Sequence, residues 1–403
     1  LKPFLVQVRH PAISRPFPVA MGSVKRLLCQ SSRGGADLGE GCDHDAQLSS
    51  RGGGTEPERS VRPRTARSKS YSVIAAPLCE DRARRLMSLD PMRFRFFPSK
   101  WDKFADSGTD KIELGGFSPV NVIRHSHVLF LADFNCNDAV LSQINALVAL
   151  CESFIRSLTI ALPYYPHGTN ERVEKEGEVA TASTVARLLS GLPACGGGPI
   201  RIIMYDLHTL QNRFYFHGNA VASLCTAVPL LLRCLKDQKR AADAIHAAGA
   251  GAAMVEAVAF PDDGACKRFG KIFAQAGYPL VTCGKVRDED RRVVRIMEGA
   301  CVGQHVLIVD DLTRSGGTLY ECGKVLLAAG ASAVSAFVAH AAFPPGVAEH
   351  FLKRGGDGSG PGKFGIFECF YTTDSNPIVT KAFPTNDVFH VLELAPQLLE
   401  DLG

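Results

Sequence analysis

The chain has 403 residues, of which 46% are hydrophobic and 21% charged, and its formal net charge is +4. This length leaves room for two domains and an appendage, and the composition is that of an ordinary globular protein. Residues 1–70 carry +6, with twelve Lys and Arg against six Asp and Glu, so residues 71–403 carry −2. This charge gives no support to a nucleic-acid-binding core. No apolar run approaches the ~18 residues that a membrane span needs, so neither a nucleic acid nor a membrane is a predicted partner.

Residues 1–90 are predicted to form a disordered extension. The segment is rich in Ser, Gly and basic residues and lacks periodicity, so it cannot bury enough apolar surface to offset its ordering entropy. The first 36 residues hold six basic residues and no acid, which fits an organelle transit peptide. A disordered cytosolic extension fits at least as well. Thirteen scattered cysteines without metal-site spacing indicate reduced thiols, so the predicted location is cytoplasmic, with an organelle as the alternative.

Strands and helices alternate along the rest of the chain. The predicted strands are 128–134, 157–162, 200–205, 255–260, 280–283, 306–309, 334–338 and 365–371. The predicted helices are 139–151, 178–189 and 267–276. This alternation predicts an α/β fold with mostly parallel sheets, in two domains at 91–222 and 223–403. Reactive groups are then expected at the carboxyl ends of the strands.

The most informative stretch follows the predicted strand 306–309. Two carboxylates come directly after four apolar residues, and a small-residue loop then opens an apolar helical pattern. Backbone N–H groups at such a helix N-terminus can hold a phosphate, while the carboxylates can hold sugar hydroxyls or hydrated Mg²⁺. A strand–turn–helix corner with surface acids is the alternative. The residues concerned are Asp310, Asp311, Thr313, Ser315, Gly316, Gly317 and Thr318.

Charged side chains also follow three other predicted strands. They are Asp206 with His208, Asp262 with Asp263, and Lys285 with Arg287. Several acid-bearing strand ends beside a basic loop indicate a polyphosphate–Mg²⁺ site. Each group has a simpler interpretation: the acids as helix N-caps, the histidine as a hydrogen-bonded core residue, and the two cations as part of a solvated loop.

Taken together, these motifs carry a resemblance to a known family. From about Trp101 to Leu402 the chain resembles the ribose-phosphate diphosphokinases, or PRPP synthetases, and most closely the plant-type class II enzymes. The motifs stand in the family's order at 205–208, 260–268, 285–287, 310–318 and 373–377. The resemblance implies two tandem type I phosphoribosyltransferase-like domains. It also implies transfer of pyrophosphate from ATP to the anomeric hydroxyl of ribose 5-phosphate, giving PRPP and AMP for nucleotide biosynthesis, with Mg²⁺ as cofactor.

The resemblance further implies a role for each motif. Lys285 and Arg287 would be catalytic and lie on a flexible loop, while Asp206 and His208 would bind metal. The residues from Asp310 to Thr318 would bind ribose 5-phosphate. The implied nucleotide and pyrophosphate contacts are Phe104, Asp106, Arg172, Asp262, Asp263 and Gly264.

The nucleotide half of the site departs from the family pattern. Ser107-Gly108-Thr109 replaces the usual Gly-Glu, and Thr169-Asn170 stands where most members have Arg-Gln. Nucleotide preference, and regulation by phosphate and ADP, therefore stay open.

Partners and alternative functions follow from the same resemblance. The expected partners are ATP, ribose 5-phosphate and further copies of the chain, in dimers that are commonly built into hexamers. One alternative is a non-catalytic regulatory subunit related to PRPP synthetase. The other is a phosphoribosyltransferase that consumes PRPP. Release of AMP from ATP by the lone protein would separate the first function from both alternatives.

Overall fold

The first of two main sheets has six parallel strands. They are β1 (Tyr71–Ala75), β2 (Phe94–Phe96), β5 (His127–Leu131), β6 (Ser157–Ala161), β7 (Ile200–Tyr205) and β8 (Ala220–Cys225), in the order β2-β1-β5-β6-β7-β8. The helices within this segment are α1 (Glu80–Leu89), α2 (Asn137–Cys151) and α3 (Thr181–Ser190). An antiparallel hairpin of β3 (Lys100–Lys103) and β4 (Asp110–Glu113) is inserted between β2 and β5. The computed structural model describes residues 69–246, 254–288, 291–353, 362–385 and 388–403.

The second main sheet has seven strands, of which only the pair at one edge is antiparallel. They are β9 (Ala257–Phe260), β10 (Leu280–Asp288), β11 (Arg291–Glu298), β12 (His305–Thr313), β13 (Ala333–Ala341), β14 (Phe367–Thr373) and β15 (Phe389–Leu392), in the order β11-β10-β9-β12-β13-β14-β15. The helices of this part are α4 (Val228–His246), α5 (Asp263–Gln275), α6 (Gly317–Ala328), α7 (Pro377–Thr380) and α8 (Ala395–Asp401). The strands predicted from continuous apolar runs are present. Strands covered on both faces bury every side chain, so their sequences are apolar throughout and could be recognised.

The structure corrects the predicted start of the first domain at residue 91. Strand β1 lies inside the sheet between β2 and β5, and Val73 and Ile74 are fully buried. This strand has only five residues and follows a basic, Ser-rich run, so its apolar signal is weak. The rest of the predicted extension, residues 1–68, lies outside the described residues. The predicted boundary between residues 222 and 223 falls within β8.

Two predicted strands are longer than their apolar runs. Strand β10 continues through Lys285 to Asp288 because it pairs with β11, so the predicted loop is a hairpin strand at this point. Strand β12 continues to Thr313 because Asp310, Leu312 and Thr313 still pair with β13. The two predicted acids therefore lie inside the last part of the strand rather than after it.

Helix α8 and the residues that follow it contact the first sheet within the unit Thr65–Gly403. The Tyr205 hydroxyl donates to Asp401 Oδ2 at 2.7 Å, and Arg201 Nη2 donates to the Asp401 carbonyl at 2.9 Å. Arg93 Nη2 also donates to the Gly403 carbonyl at 2.7 Å. These contacts hold the end of β7, and the loop that follows it, against the second sheet. No helix in the described ranges is both long and apolar enough to cross a membrane.

Candidate active site

Asp311 is the centre of a charged cluster between the two sheets. His208, in the loop after β7, has its Nδ1 2.9 Å from Asp311 Oδ2. Because a carboxylate can only accept, Nδ1 carries the proton of this hydrogen bond and Nε2 is left for another partner. The hydrogen bond to Asp311 raises the pKa of His208 although partial burial opposes it. The structure thus joins residues from two predicted groups, one on each sheet.

Arg268 on α5 holds this cluster together. Its Nη1 donates to the Leu207 carbonyl at 2.6 Å and lies 3.4 Å from Asp311 Oδ2, while Nη2 lies 3.7 Å from Asp206 Oδ1. Arg268 was not among the site residues predicted from the sequence. A signal was available, because Arg268 lies on the face of α5 that buries Ala265 and Phe269, where an unpaired charge would be costly.

Asp206 does not share the surroundings of His208. Its side chain is 1% exposed, and its Oδ2 accepts from the Ala227 backbone N–H at 2.8 Å. Burial raises the pKa of Asp206, with Arg268 acting in the opposite direction. Its backbone φ of +38° is a strained value for a residue with a side chain. These contacts describe a residue that supports Arg268, so the metal role predicted for Asp206 stays a prediction.

Glu171 is a second residue that the sequence analysis did not select. Its side chain is 10% exposed, Oε1 accepts from Thr209 Oγ1 at 3.2 Å, and Oε2 is buried without a hydrogen bond among the described residues. Its charge contributes to the raised pKa of His208. The selected neighbour, Arg172, is 86% exposed, and its Nε lies 3.5 Å from Glu171 Oε1.

Asp310 and Asp311 differ in charge although they are adjacent. Burial, followed by the charge of Asp311, raises the pKa of Asp310. Burial also opposes ionisation of Asp311, but the hydrogen bond from His208 and the charge of Arg268 lower the pKa of Asp311 overall. Asp311 is therefore the ionised member of the pair at neutral pH, and Asp310 is the member whose proton a bound cation would displace.

The loop after β12 forms a helix N-terminus beside these carboxylates. Thr313 Oγ1 accepts from the Gly316 N–H at 3.1 Å, and Ser315 Oγ accepts from the Gly317 N–H at 3.4 Å. Helix α6 begins at Gly317, and Thr318 lies in its first turn. The N–H groups of a first turn have no partner within their helix and favour anions. The structure therefore brings the whole predicted segment from Asp310 to Thr318 into one corner.

Gly316 is required by the shape of this loop. Its φ is +77°, and an added Cβ would lie 2.3 Å from Phe351 Cζ. We expect Gly316→Ala to lower the free energy of unfolding by about 2 kcal/mol, from the left-handed backbone and the contact with Phe351, and to weaken ribose 5-phosphate binding. Urea denaturation and the KM for ribose 5-phosphate measure the two effects. Gly317→Ala is the matched control, since its Cβ would meet only Ser315 Oγ at 3.6 Å; equal losses in both variants would contradict this role.

The segment after β9 is a helix cap in this structure. Asp262 is the N-cap of α5, where its Oδ1 accepts from the Ala265 N–H at 2.9 Å. Asp263 and Gly264 are exposed beside it, and Asp263 forms an ion pair with Lys267. After burial and the charge of Asp311, the charge of Asp262 also contributes to the raised pKa of Asp310. The capping interpretation holds for Asp262, while its predicted pyrophosphate contact stays a prediction.

The remaining predicted residues lie on two hairpins. Lys285 is exposed on β10, opposite Val294 of β11, and Arg287 pairs with Arg292 along the same hairpin; the Arg287 side chain lies outside the described residues. Phe104 is 48% exposed at the turn between β3 and β4, with Lys111 Nζ 5.8 Å from its ring centroid, and Asp106 is exposed on the same turn. Among the described residues, the ring contact of Phe104 thus lies within its own hairpin and does not join the Asp311 cluster.

His340, at the end of β13, fixes the position of the loop that carries His208. Its Nε2 donates to the Tyr205 carbonyl at 2.8 Å, and its Nδ1 lies 2.8 Å from Ser375 Oγ. The side chain is 2% exposed, and burial lowers the pKa of His340 to about 4. The residue is therefore neutral at physiological pH.

This burial predicts a dependence of stability on pH. The unfolded chain takes up a proton on His340 near pH 6.5 and the folded chain only near pH 4, so the stability from neutral His340 is complete above pH 6.5 and is lost as the pH falls to 4. The loss is about 3 kcal/mol over this window. Between pH 7 and pH 4 we expect the free energy of unfolding to fall by about 3 kcal/mol more in wild type than in His340→Gln, as measured by urea denaturation. His217→Gln, at an exposed histidine, should follow wild type; parallel curves for His340→Gln and wild type would contradict the prediction.

Comparisons with known proteins agree with this geometry. No family model matches the chain. The chain is 46% identical over 280 residues to "Ribose-phosphate pyrophosphokinase 4" of Oryza sativa subsp. japonica, covering 70% of this chain and 81% of the relative. It is 42% identical over 295 residues to "Ribose-phosphate pyrophosphokinase 3, chloroplastic" of the same organism, covering 73% and 67%. A crystal structure of phosphoribosylpyrophosphate synthetase from Mycobacterium smegmatis has a TM-score of 0.62 at 22% identity, over 83% of this chain and 98% of that one. This likeness confirms the predicted α/β class with mostly parallel sheets.

Proposed function

Because the chain belongs to the ribose-phosphate pyrophosphokinase family, we propose that the cluster around Asp311 is the site of its reaction. The reaction is transfer of a pyrophosphoryl group from ATP to the anomeric hydroxyl of ribose 5-phosphate, which gives PRPP and AMP. The observation that carries the assignment is the contact of Asp311 with His208, in the loop after β7 of the first sheet, and with Arg268, on helix α5 beside the second sheet. A phosphate loop and an acid pair meet a histidine and an arginine at this one place.

The corner at the start of α6 accounts for the sugar-phosphate half of the site. The N–H groups of Gly317 and Thr318, with the hydroxyls of Ser315 and Thr318, would hold the 5-phosphate. The carboxylates of Asp310 and Asp311 would accept hydrogen bonds from the ribose 2- and 3-hydroxyls. Such contacts orient the anomeric hydroxyl toward the second substrate, and orientation is a major part of phosphoryl-transfer catalysis.

Cationic side chains account for the nucleotide half. Lys285 and Arg287 would stabilise the charge that develops on the transferred phosphates and on the leaving AMP. His208 has Nε2 available because Nδ1 is held by Asp311. Phe104, Asp106 and Arg172 are exposed, and they would reach a nucleotide from the outer side. Asp262, Asp263 and Gly264 would face the pyrophosphate from the start of α5.

The donor set of the site suits Mg²⁺. Asp310, Asp311 and the unpartnered Glu171 Oε2 supply hard oxygen atoms, and His208 Nε2 is available beside them. The described residues contain no preassembled group of three metal-ligating side chains. Mg²⁺ commonly takes one or two protein carboxylates and completes its shell with water and substrate phosphates. When bound, Mg²⁺ would offset the phosphate charge.

The test is release of AMP by the purified chain. With ATP, Mg²⁺ and ribose 5-phosphate we expect AMP and PRPP in equal amounts, with ATP, GTP and CTP compared to establish the donor. Ribose 5-phosphate omitted from the mixture is the control. No AMP release from a folded protein would favour a regulatory subunit, and consumption of added PRPP with a free base would favour a phosphoribosyltransferase.

Assembly and location are proposals of the same kind. A homo-oligomer built from dimers, up to a hexamer, is the proposed assembly, and the exposed Phe104 on the β3–β4 hairpin would be free to contact a neighbouring subunit. The proposed location is the cytoplasm, with an organelle as the alternative because one relative is named chloroplastic. Multi-angle light scattering of the full chain, and imaging of the full chain and of a variant without residues 1–68, test the two proposals.

A further inference from the structure

A cavity of about 240 Å³ lies outside the Asp311 cluster, at the carboxyl end of the six-stranded sheet. Its walls come from the segments after β1 and β5, the first turns of α2 and the base of the β3–β4 hairpin. None of the residues assigned above to the reaction lines it. It therefore requires its own explanation.

The position of this cavity follows from the strand order. From β1 the chain moves to β2 on one side, and it later returns to place β5 on the other side of β1. The connections therefore diverge between β1 and β5, which makes a crevice at the carboxyl ends of these strands. In open parallel sheets, ligands bind at such points. Leu78 follows β1 and Asp133 follows β5, and both line the cavity.

One wall of the cavity is flat and apolar. Trp101 lines it together with Leu78 and Ile112. The Trp101 ring packs edge-on against Phe130, with centroids 6.4 Å apart, which fixes its orientation. Its ring therefore presents a fixed surface to the cavity.

The other wall is acidic, and one carboxylate on it, that of Asp133, can accept further hydrogen bonds. Asp133 is 8% exposed, and its Oδ2 accepts from Asn135. Gln143 holds the Asp133 backbone on both sides, since its Oε1 accepts from the Asp133 N–H at 2.9 Å and its Nε2 donates to the Asp133 carbonyl at 2.5 Å. The carboxylate is therefore fixed in place at the cavity.

Three of the other charged groups of the lining are engaged, while Asp102 is exposed beside them. Asp110 accepts from Ser142 at 2.6 Å and from Asn145 at 2.8 Å. Lys103 donates to Asp138 at 2.7 Å. The cavity thus offers one buried carboxylate beside an aromatic face, and the net charge of its lining is negative. A phosphate would be repelled there, whereas a ligand with N–H donors would be favoured.

We propose that this cavity binds a planar heterocycle with amino or ring N–H donors, namely a free nucleobase, at a site separate from the catalytic cluster. Asp133 accepts from the donors of the base, and the Trp101 ring forms the apolar wall against which the base lies. The volume is below the ~300 Å³ at which pockets for larger ligands begin, which fits a base without a phosphate chain.

The single tryptophan of the chain makes the proposal directly testable. Since Trp101 is the chain's only tryptophan, its fluorescence reports on this cavity. The full chain is saturated with ribose 5-phosphate and a non-hydrolysable ATP analogue, and adenine is then titrated. We expect a saturable change in fluorescence with adenine and none with benzoate, a planar anion that the carboxylates repel. No saturable change with adenine, or an equal one with benzoate, overturns the proposal.

A matched pair of variants on α2 separates this cavity from any other site. Ala139 lines the cavity, whereas Ala149 is exposed on the same helix. We expect Ala139→Leu to weaken adenine binding at least about tenfold, by occupying the space of the ligand, and Ala149→Leu to bind as wild type does. Asp133→Asn, which keeps the shape of the cavity, should also weaken binding by about tenfold. Unchanged adenine affinity in either Ala139→Leu or Asp133→Asn, with the fold verified by circular dichroism, overturns the proposal.

Discussion

Replacing Arg268 with Met is expected to lower the free energy of unfolding by roughly 3–5 kcal/mol, because it leaves two buried carboxylates without their cation. The Arg268 side chain is 17% exposed, and its partners Asp206 and Asp311 are 1% and 8% exposed. Denaturant unfolding followed by far-UV circular dichroism measures the loss. The deficit should shrink as the pH falls, since protonation of the two carboxylates removes the uncompensated charges.

The same substitution is expected to abolish most of the turnover. Arg268 also donates to the Leu207 carbonyl, so its loss frees the loop that carries His208. The matched control is Lys267→Met at the adjacent position of α5, where Lys267 is 75% exposed and pairs only with Asp263; such surface pairs contribute about 0–1 kcal/mol. If the two variants were equally stable and equally active, Arg268 would not organise the site.

The sequence predicted most inner strands of both sheets, but it missed the inner strand β1 and the hairpin strands β3, β4 and β11. Strands β5, β6, β7, β12 and β13 each contain an apolar run, which reflects burial on both faces. The β3–β4 hairpin and β11 mix charged and apolar residues, and this composition indicates exposed loops as readily as edge strands. The segment after Cys283 was accordingly predicted as a loop. Its strand structure comes from pairing between β10 and β11, which no single stretch of sequence displays.

The candidate site shows the same division between local and long-range information. The loop from Asp310 to Thr318 was predicted because its chemistry is contained in nine consecutive residues. The contact between His208 and Asp311 spans 103 residues, and that between Arg268 and Leu207 spans 61. Only the packing of the two sheets, which the C-terminal helix secures, brings these groups together. Glu171 and Arg268 were therefore not selected, although Arg268 lies inside the motif 260–268 and Glu171 is next to the selected Arg172.

Replacing Lys285 with Met is expected to lower kcat by at least about 10²-fold while the KM for ribose 5-phosphate changes little. A cation that acts on the developing charge of the transferred phosphates contributes in the transition state and not in binding of the sugar. Lys285 is exposed on β10, so its loss removes no buried contact and the free energy of unfolding should stay within about 0.5 kcal/mol of wild type. A fall in kcat without a fall in stability therefore identifies a chemical role. The control is Lys271→Met, at an exposed lysine of α5, and Lys285→Arg should recover part of the rate because it restores the charge. A Lys285→Met enzyme with an unchanged kcat and a raised KM would instead show that the hairpin binds both ground state and transition state equally.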